Sequence, residues 1–139
     1  MGLSRAMVLT TPEQSEAAHE IATIIGEHAA GIYSRATMHT PVEITRDAVV
    51  HALEINADCV IAVGGGSTIG LGKAITLNTA LPQIAVPTTY AGSEATPILG
   101  QTENGAKTTL SDAKVRPTAV LYDAELLTSL PVSMSINSS

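Results

Sequence analysis

The residues best placed to do chemistry in this chain are three consecutive glycines and a hydroxyl, Gly64-Gly65-Gly66-Ser67. They directly follow the apolar run Cys59-Val60-Ile61-Ala62-Val63. That run is rich in β-branched residues, which predicts a strand buried on both faces, as in a parallel sheet. Glycine lacks the Cβ that would keep an anion away from backbone N–H groups. Thr68-Ile69-Gly70-Leu71-Gly72-Lys73-Ala74-Ile75 then predicts a helix from about Ser67 to about Leu77. Its first turn offers unpaired N–H groups and the positive end of a dipole. Strand, glycine turn and helix start make a cradle for phosphate. We read it as the pyrophosphate site of a dinucleotide.

Two familiar phosphate loops fit less well. In a P-loop, Gly72-Lys73 would need a glycine where Ser67 stands and a hydroxyl where Ala74 stands. The G-x-G-x-x-G fingerprint meets Gly64 and Gly66 but finds Ile69 at its third position. A plain turn without a ligand is the rival reading, weakened because three glycines in a row cost backbone entropy that a simple turn does not require.

A second chemical stretch is Pro87-Thr88-Thr89-Tyr90-Ala91-Gly92-Ser93-Glu94, dense in hydroxyls and set after the apolar Ile84-Ala85-Val86. Ligands of open parallel sheets sit beyond the carboxyl ends of the strands, and both polar loops fall there. The remaining reactive side chains argue for little more. His19, His28, His39 and His51 lack metal-ligand spacing, and only His39, near a strand-end loop, has a claim to face the cleft. Ser67 lacks the Gly-x-Ser-x-Gly context of a nucleophile. Glu94 reads as a loop anchor, and Tyr90 as stacking on a cofactor or packing its own loop. Lys73 reads equally as a phosphate neutraliser and as a solvated or interdomain lysine. No catalytic residue and no metal ligand is assigned.

These residues must be positioned by alternating short elements. Met1–Ser4 form a short leader and Ala6–Thr10 a first strand. Thr10-Thr11-Pro12-Glu13 opens a helix running to about His28, with Ala17, Ala18, Ile21, Ile24 and Ile25 on its buried stripe. Gly31-Ile32-Tyr33 is a second strand. Thr40-Pro41-Val42-Glu43 opens a second helix, carrying Ile44, Ala48, Val49, Ala52, Leu53 and Ile55 inward and stopping near Asn56-Ala57-Asp58. Leu81–Val86 is another strand. Pro97–Thr102 and Ala106–Leu110, joined through Glu103-Asn104-Gly105, predict a hairpin. Pro117–Asp123 is a last strand, with a helical turn or two after Ala124. Such alternation means βαβ units with right-handed crossovers, an α/β fold.

At 139 residues the chain is one domain, residues 1–139, large enough for a core. With no Phe or Trp, that core must come from aliphatic residues. A net charge of −6 argues against nucleic acid as a partner. No apolar run reaches membrane-spanning length and no signal peptide is visible. The single cysteine, Cys59, forms no internal disulfide and reads as a core residue. A cytoplasmic location is expected.

Taken together, Gly64-Gly65-Gly66-Ser67 through Lys73-Ala74, Val86-Pro87-Thr88-Thr89, Val120-Leu121-Tyr122-Asp123 and Leu130-Pro131 resemble the iron-containing alcohol dehydrogenase superfamily. Gly-Gly-Gly-Ser-Thr-Ile-Gly-Leu-Gly-Lys-Ala and Pro-Thr-Thr-Tyr-Ala-Gly-Ser-Glu are most similar to the maleylacetate reductases within it. The likeness runs from about Arg5 to Asn137. Gly70, where metal-dependent members carry Asp, and a threonine loop one residue shorter support that branch.

The resemblance implies a Rossmann-like parallel sheet with helices on both faces, a β-hairpin insertion, and a helical C-terminal domain that this chain lacks. It implies reduction of maleylacetate to 3-oxoadipate by NADH or NADPH, in the breakdown of aromatic compounds. Gly65, Gly66 and Ser67 would contact the pyrophosphate or its ribose. Thr88, Thr89, Tyr90 and Ser93 would line the rest of the cofactor, and Lys107 would reach a ribose hydroxyl. Thr11 stands where NAD-preferring relatives often carry Asp, which leaves the choice of cofactor open. The family's catalytic histidines lie in the helical domain, so this chain alone is expected to be inactive. A homodimer with a small dicarboxylate substrate is expected of the complete enzyme. The alternatives are a metal-dependent alcohol dehydrogenase of the same superfamily, or a non-catalytic nucleotide-binding or assembly module.

Overall fold

The structure, a computed structural model, describes residues 5–37, 40–87, 98–103 and 105–121. Its elements in chain order are β1 (Ala6–Leu9), α1 (Ser15–Ile25), β2 (Ala29–Tyr33), α2 (Val42–Glu54), β3 (Cys59–Gly64), α3 (Gly66–Thr79), β4 (Gln83–Pro87), β5 (Ile98–Glu103), β6 (Ala106–Ser111) and β7 (Ala119–Val120). Five parallel strands form one sheet in the order β2-β1-β3-β4-β7. β5 and β6 form a separate antiparallel hairpin, closed at Gly105 with a left-handed φ of 79°. The expected parallel α/β sheet with a hairpin insertion is therefore present.

Alternation along the strands divides the core. Ala6 and Val8, Cys59, Ile61 and Val63, and Ile84 and Val86 face α1, where Ala18, Ile21 and Ile25 meet them. Met7 and Leu9, Val60 and Ala62, and Ala85 face the other way, onto Ala48 and Ala52 of α2 and Ile69, Leu71 and Ile75 of α3. The period of two places successive side chains on opposite faces, and both faces are covered. α3 is apolar nearly all round because it is covered twice. Its far side carries Ala74 and Leu77 against Leu99 of β5 and Val115.

Several boundaries differ from the sequence expectation. The first helix is interrupted: a 3-10 turn over Pro12–Gln14 precedes α1, and Gly26, at φ 57°, ends it before a second 3-10 turn. β2 consequently starts two residues early, at Ala29. Leu53 is 64% exposed rather than inward, and Thr45 takes a buried place on α2. Lys73 is 1% exposed, so it is neither a solvated lysine nor open to a phosphate. The leader, His39 and everything after Leu121 lie outside the described residues.

At Gly72, α3 comes so close to the start of β4 that a Cβ would overlap the Gln83 side-chain amide, itself buried. Gly72→Ala gains up to about 1 kcal/mol of helix propensity but overpacks a boxed-in group at about 1–3 kcal/mol. A net loss of about 1 kcal/mol is expected in urea denaturation. Because the two side chains share one space, Gly72→Ala with Gln83→Ala should cost less than the sum of the single changes.

Cys59 gives a pH signature. Burial, assisted by the neighbouring Asp58 carboxylate, pushes its thiol far above the ordinary value of about 9. Above that pH the unfolded chain releases the thiol proton while the folded chain keeps it, so stability falls as pH rises. The expected slope from this group is about 1.4 kcal/mol per pH unit. Cys59→Ala should remove that component from denaturation midpoints measured between pH 8 and pH 10.5.

Candidate functional site

β1 leads out to β2 on one side of the sheet, and the chain then crosses back to β3 on the other side of β1. The gap between the carboxyl ends of β1 and β3 is thus the topological switch point, where open α/β sheets hold ligands. A cleft of about 670 Å³ lies there. Thr11 and Glu13 border it from the end of β1, Arg35 and Thr37 from the end of β2, and Ser67 from the first turn of α3.

The turn that brings Ser67 to the cleft depends on Gly64, the last residue of β3. Its φ is 147°, and a Cβ there would lie 2.8 Å from both Gln14 Oε1 and Thr68 Oγ1. Gly65 has an extended backbone, φ −99° and ψ −152°, and stands before the helix as its N-cap. The expectation stressed Gly65 and Gly66, but the glycine that sterics demand is Gly64. The run of three glycines was the signal, and only the backbone angles separate their roles.

α3 begins without a side-chain cap and without an acidic residue in its first turn. α1 carries Glu16 and α2 carries Glu43 at the same place. The positive end of the α3 dipole is therefore not offset by a carboxylate in its own first turn, and Ser67 is partly exposed beside it.

The other expected site residues are placed less fully. β4 ends at Pro87, paired with Gly64 of the glycine turn. Thr88, Thr89, Tyr90 and Ser93 themselves lie outside the described residues. Lys107 pairs through its backbone with Thr102, and the Thr102 N–H donates to the Thr40 carbonyl at 3.2 Å, tying the hairpin to the segment before α2. Sequence reasoning missed Arg35 and Thr37, which reach the cleft because β2 lies beside β1. Nothing in local spacing marks them. Among the described residues no three His, Cys, Asp or Glu side chains converge, so none of these residues is assigned to a metal.

A doubly wound parallel sheet with a phosphate-type turn at its switch point defines the class, a Rossmann-like nucleotide-binding fold. The profile of iron-containing alcohol dehydrogenases matches residues 1–124, and the chain belongs to that family. It is 59% identical over 138 residues to a maleylacetate reductase of Rhizobium sp. and 54% identical to one of Burkholderia cepacia. Each alignment covers 99% of this chain and 39% of the relative, so the chain spans about two fifths of their length. The crystal structure of a maleylacetate reductase from Agrobacterium tumefaciens superposes with a TM-score of 0.86 at 58% identity. That match covers 96% of this chain and 38% of the other.

Gly64→Ala should therefore lower stability by about 1–3 kcal/mol through backbone strain and overlap. Gly65→Ala, at an extended backbone, should cost clearly less. Chemical denaturation of the two variants side by side measures the difference.

Proposed function

We propose that this chain binds a reduced nicotinamide dinucleotide, NADH or NADPH, with the pyrophosphate on the first turn of α3. We further propose that it is the nucleotide-binding part of an enzyme that reduces maleylacetate to 3-oxoadipate. The observation that carries the reading is the Gly64–Ser67 turn opening onto a cleft at the switch point of the sheet. High identity to maleylacetate reductases supplies the substrate.

A nicotinamide held there would supply the hydride for reducing the carbon–carbon double bond of the dicarboxylate, and a proton would complete the reduction. The chain's own residues bind and orient. The N–H groups of Gly65 and Gly66 meet phosphate oxygens, the Ser67 hydroxyl adds a donor, and Thr88, Thr89, Tyr90 and Ser93 are assigned to the rest of the cofactor by resemblance. Fixing the cofactor in one pose is what hydride transfer needs from this part of an enzyme.

Gly70 favours the maleylacetate reductase branch over the metal-dependent alcohol dehydrogenases. Thr40 Oγ1 lies 2.8 Å from where a Cβ on Gly70 would be, so a larger residue there would have to displace the Thr40 hydroxyl.

Titration with NADH and NADPH, followed by nicotinamide fluorescence, tests the binding. The chain has no tryptophan, which leaves the cofactor's emission clean. Saturable binding is expected, weakened at least tenfold by Gly66→Asp, which sets a carboxylate among the amides. Absence of saturation by either cofactor at millimolar concentration would overturn the reading.

A further inference from the structure

We infer that Thr40 is a strained latch through which the β5–β6 hairpin and the cleft at the switch point hold one another in place. The inference rests on the dinucleotide reading above and deepens it, from where the site lies to how it is kept in shape. Among the described residues three that are not glycine take a left-handed backbone: Thr40 at φ 44°, Asn56 at 55° and Ala80 at 65°. Asn56 and Ala80 stand just past the last turns of α2 and α3, where a left-handed residue is an ordinary way to end a helix. Thr40 stands before a helix instead, and its branched Cβ makes the conformation costly. Such strain persists only where the surroundings over-determine it, and it gathers at ligand clamps and switches.

The surroundings of Thr40 join three elements. The residue is buried, and its Oγ1 lies against Gly70 of α3, 2.8 Å from where a Cβ on that glycine would be. Its carbonyl accepts the Thr102 N–H of β5 at 3.2 Å, and Pro41 forms a parallel bridge with the same Thr102. The Pro41 carbonyl in turn accepts the N–H groups of Ile44 and Thr45, which starts α2. Residues that border the cleft flank this junction on every side. Thr37 precedes it on the chain, Ile44 is in the first turn of α2, and Ser67 lies about one helical turn before Gly70. The hairpin therefore reaches the cleft through Thr40. A return of its φ to the negative region would turn carbonyl and hydroxyl away from their partners. The hairpin bond and the contact with α3 thus hold the strain, and losing either releases it. By linkage, a ligand that steadies the cleft steadies the hairpin, to the same extent that the docked hairpin favours the ligand.

The test follows the wild-type chain, Thr40→Gly, Thr40→Ala and Ala80→Gly by denaturation midpoint, by affinity for NADH and NADPH, and by hydrogen exchange of the Thr102 amide. Glycine takes a φ of 44° freely, so Thr40→Gly should be at least as stable as Thr40→Ala, the reverse of their order at an ordinary position. Thr40→Gly should nonetheless weaken both cofactors, by at least about fivefold. In the wild type, saturating cofactor should slow Thr102 exchange at least about fivefold beyond any change at the Ile61 amide of β3, which reports global opening. In Thr40→Gly that extra protection should vanish. Ala80→Gly frees a left-handed position at the opposite end of α3, so it should raise the midpoint and leave affinity as it was. Unchanged affinity in Thr40→Gly, or protection of Thr102 that survives the substitution, would overturn the latch while leaving dinucleotide binding intact. A Thr40→Gly variant less stable than Thr40→Ala would overturn it too, by showing that the position stores no strain. Failure of the wild type to bind either cofactor would instead overturn the underlying reading, and this inference with it.

Discussion

Everything else in this fold depends on α3 being clamped between two layers. On one side Ile69, Leu71 and Ile75 lie on the sheet, and on the other Ala74 meets Leu99 and Val115. Such close approach needs small residues wherever backbone meets backbone or a buried side chain. Gly72 admits Gln83, and Gly70 admits Thr40. Thr40 itself takes a left-handed φ of 44° and accepts the Thr102 N–H, so the hairpin, the start of α2 and α3 converge on one spot. A helix gripped on both sides cannot slide or tilt. Its first turn therefore keeps a fixed place at the end of β3.

That constraint explains what the sequence could show. The apolar run before the three glycines and the two-residue alternation were readable because a doubly covered sheet leaves no polar positions in its central strands. The hairpin was readable from Asn104-Gly105, a local turn signal. What stayed hidden was set by distant partners. Leu53 has helical spacing for the core, yet α2 turns it to solvent because small residues, Ala48 and Ala52, already fill the contact with the sheet. Lys73 is buried on a helix that packs on the sheet on one side and against Leu99 and Val115 on another. Hydropathy along α3 cannot reveal a second layer built from residues 98 to 115.

The candidate site divides in the same way. Gly65, Gly66 and Ser67 could be nominated from a contiguous motif, because an anion cradle made of backbone would be local by nature. Arg35 and Thr37 could not, because their part in the cleft follows from strand order alone. Had β2 been placed beyond β4, the same residues would lie at the far edge of the sheet. Chemistry carried by backbone is legible as a motif, whereas chemistry carried by side chains from separate strands becomes legible only with the topology.

The net charge of −6 and the charge at the cleft are separate matters. Interactions between exposed charges fade beyond roughly 8–10 Å at moderate salt, so the overall balance matters less than what borders the cleft. α1 and α2 each spend an acidic residue, Glu16 and Glu43, on their own first turns. α3 has none, and no side chain caps its start. Arg35, also at the border of the cleft, is already paired with Asp47 at 3.0 Å. A uniformly basic surface would attract any polyanion, including nucleic acid. Backbone dipoles at a helix start act only within its first turn and do not depend on the net charge of the chain.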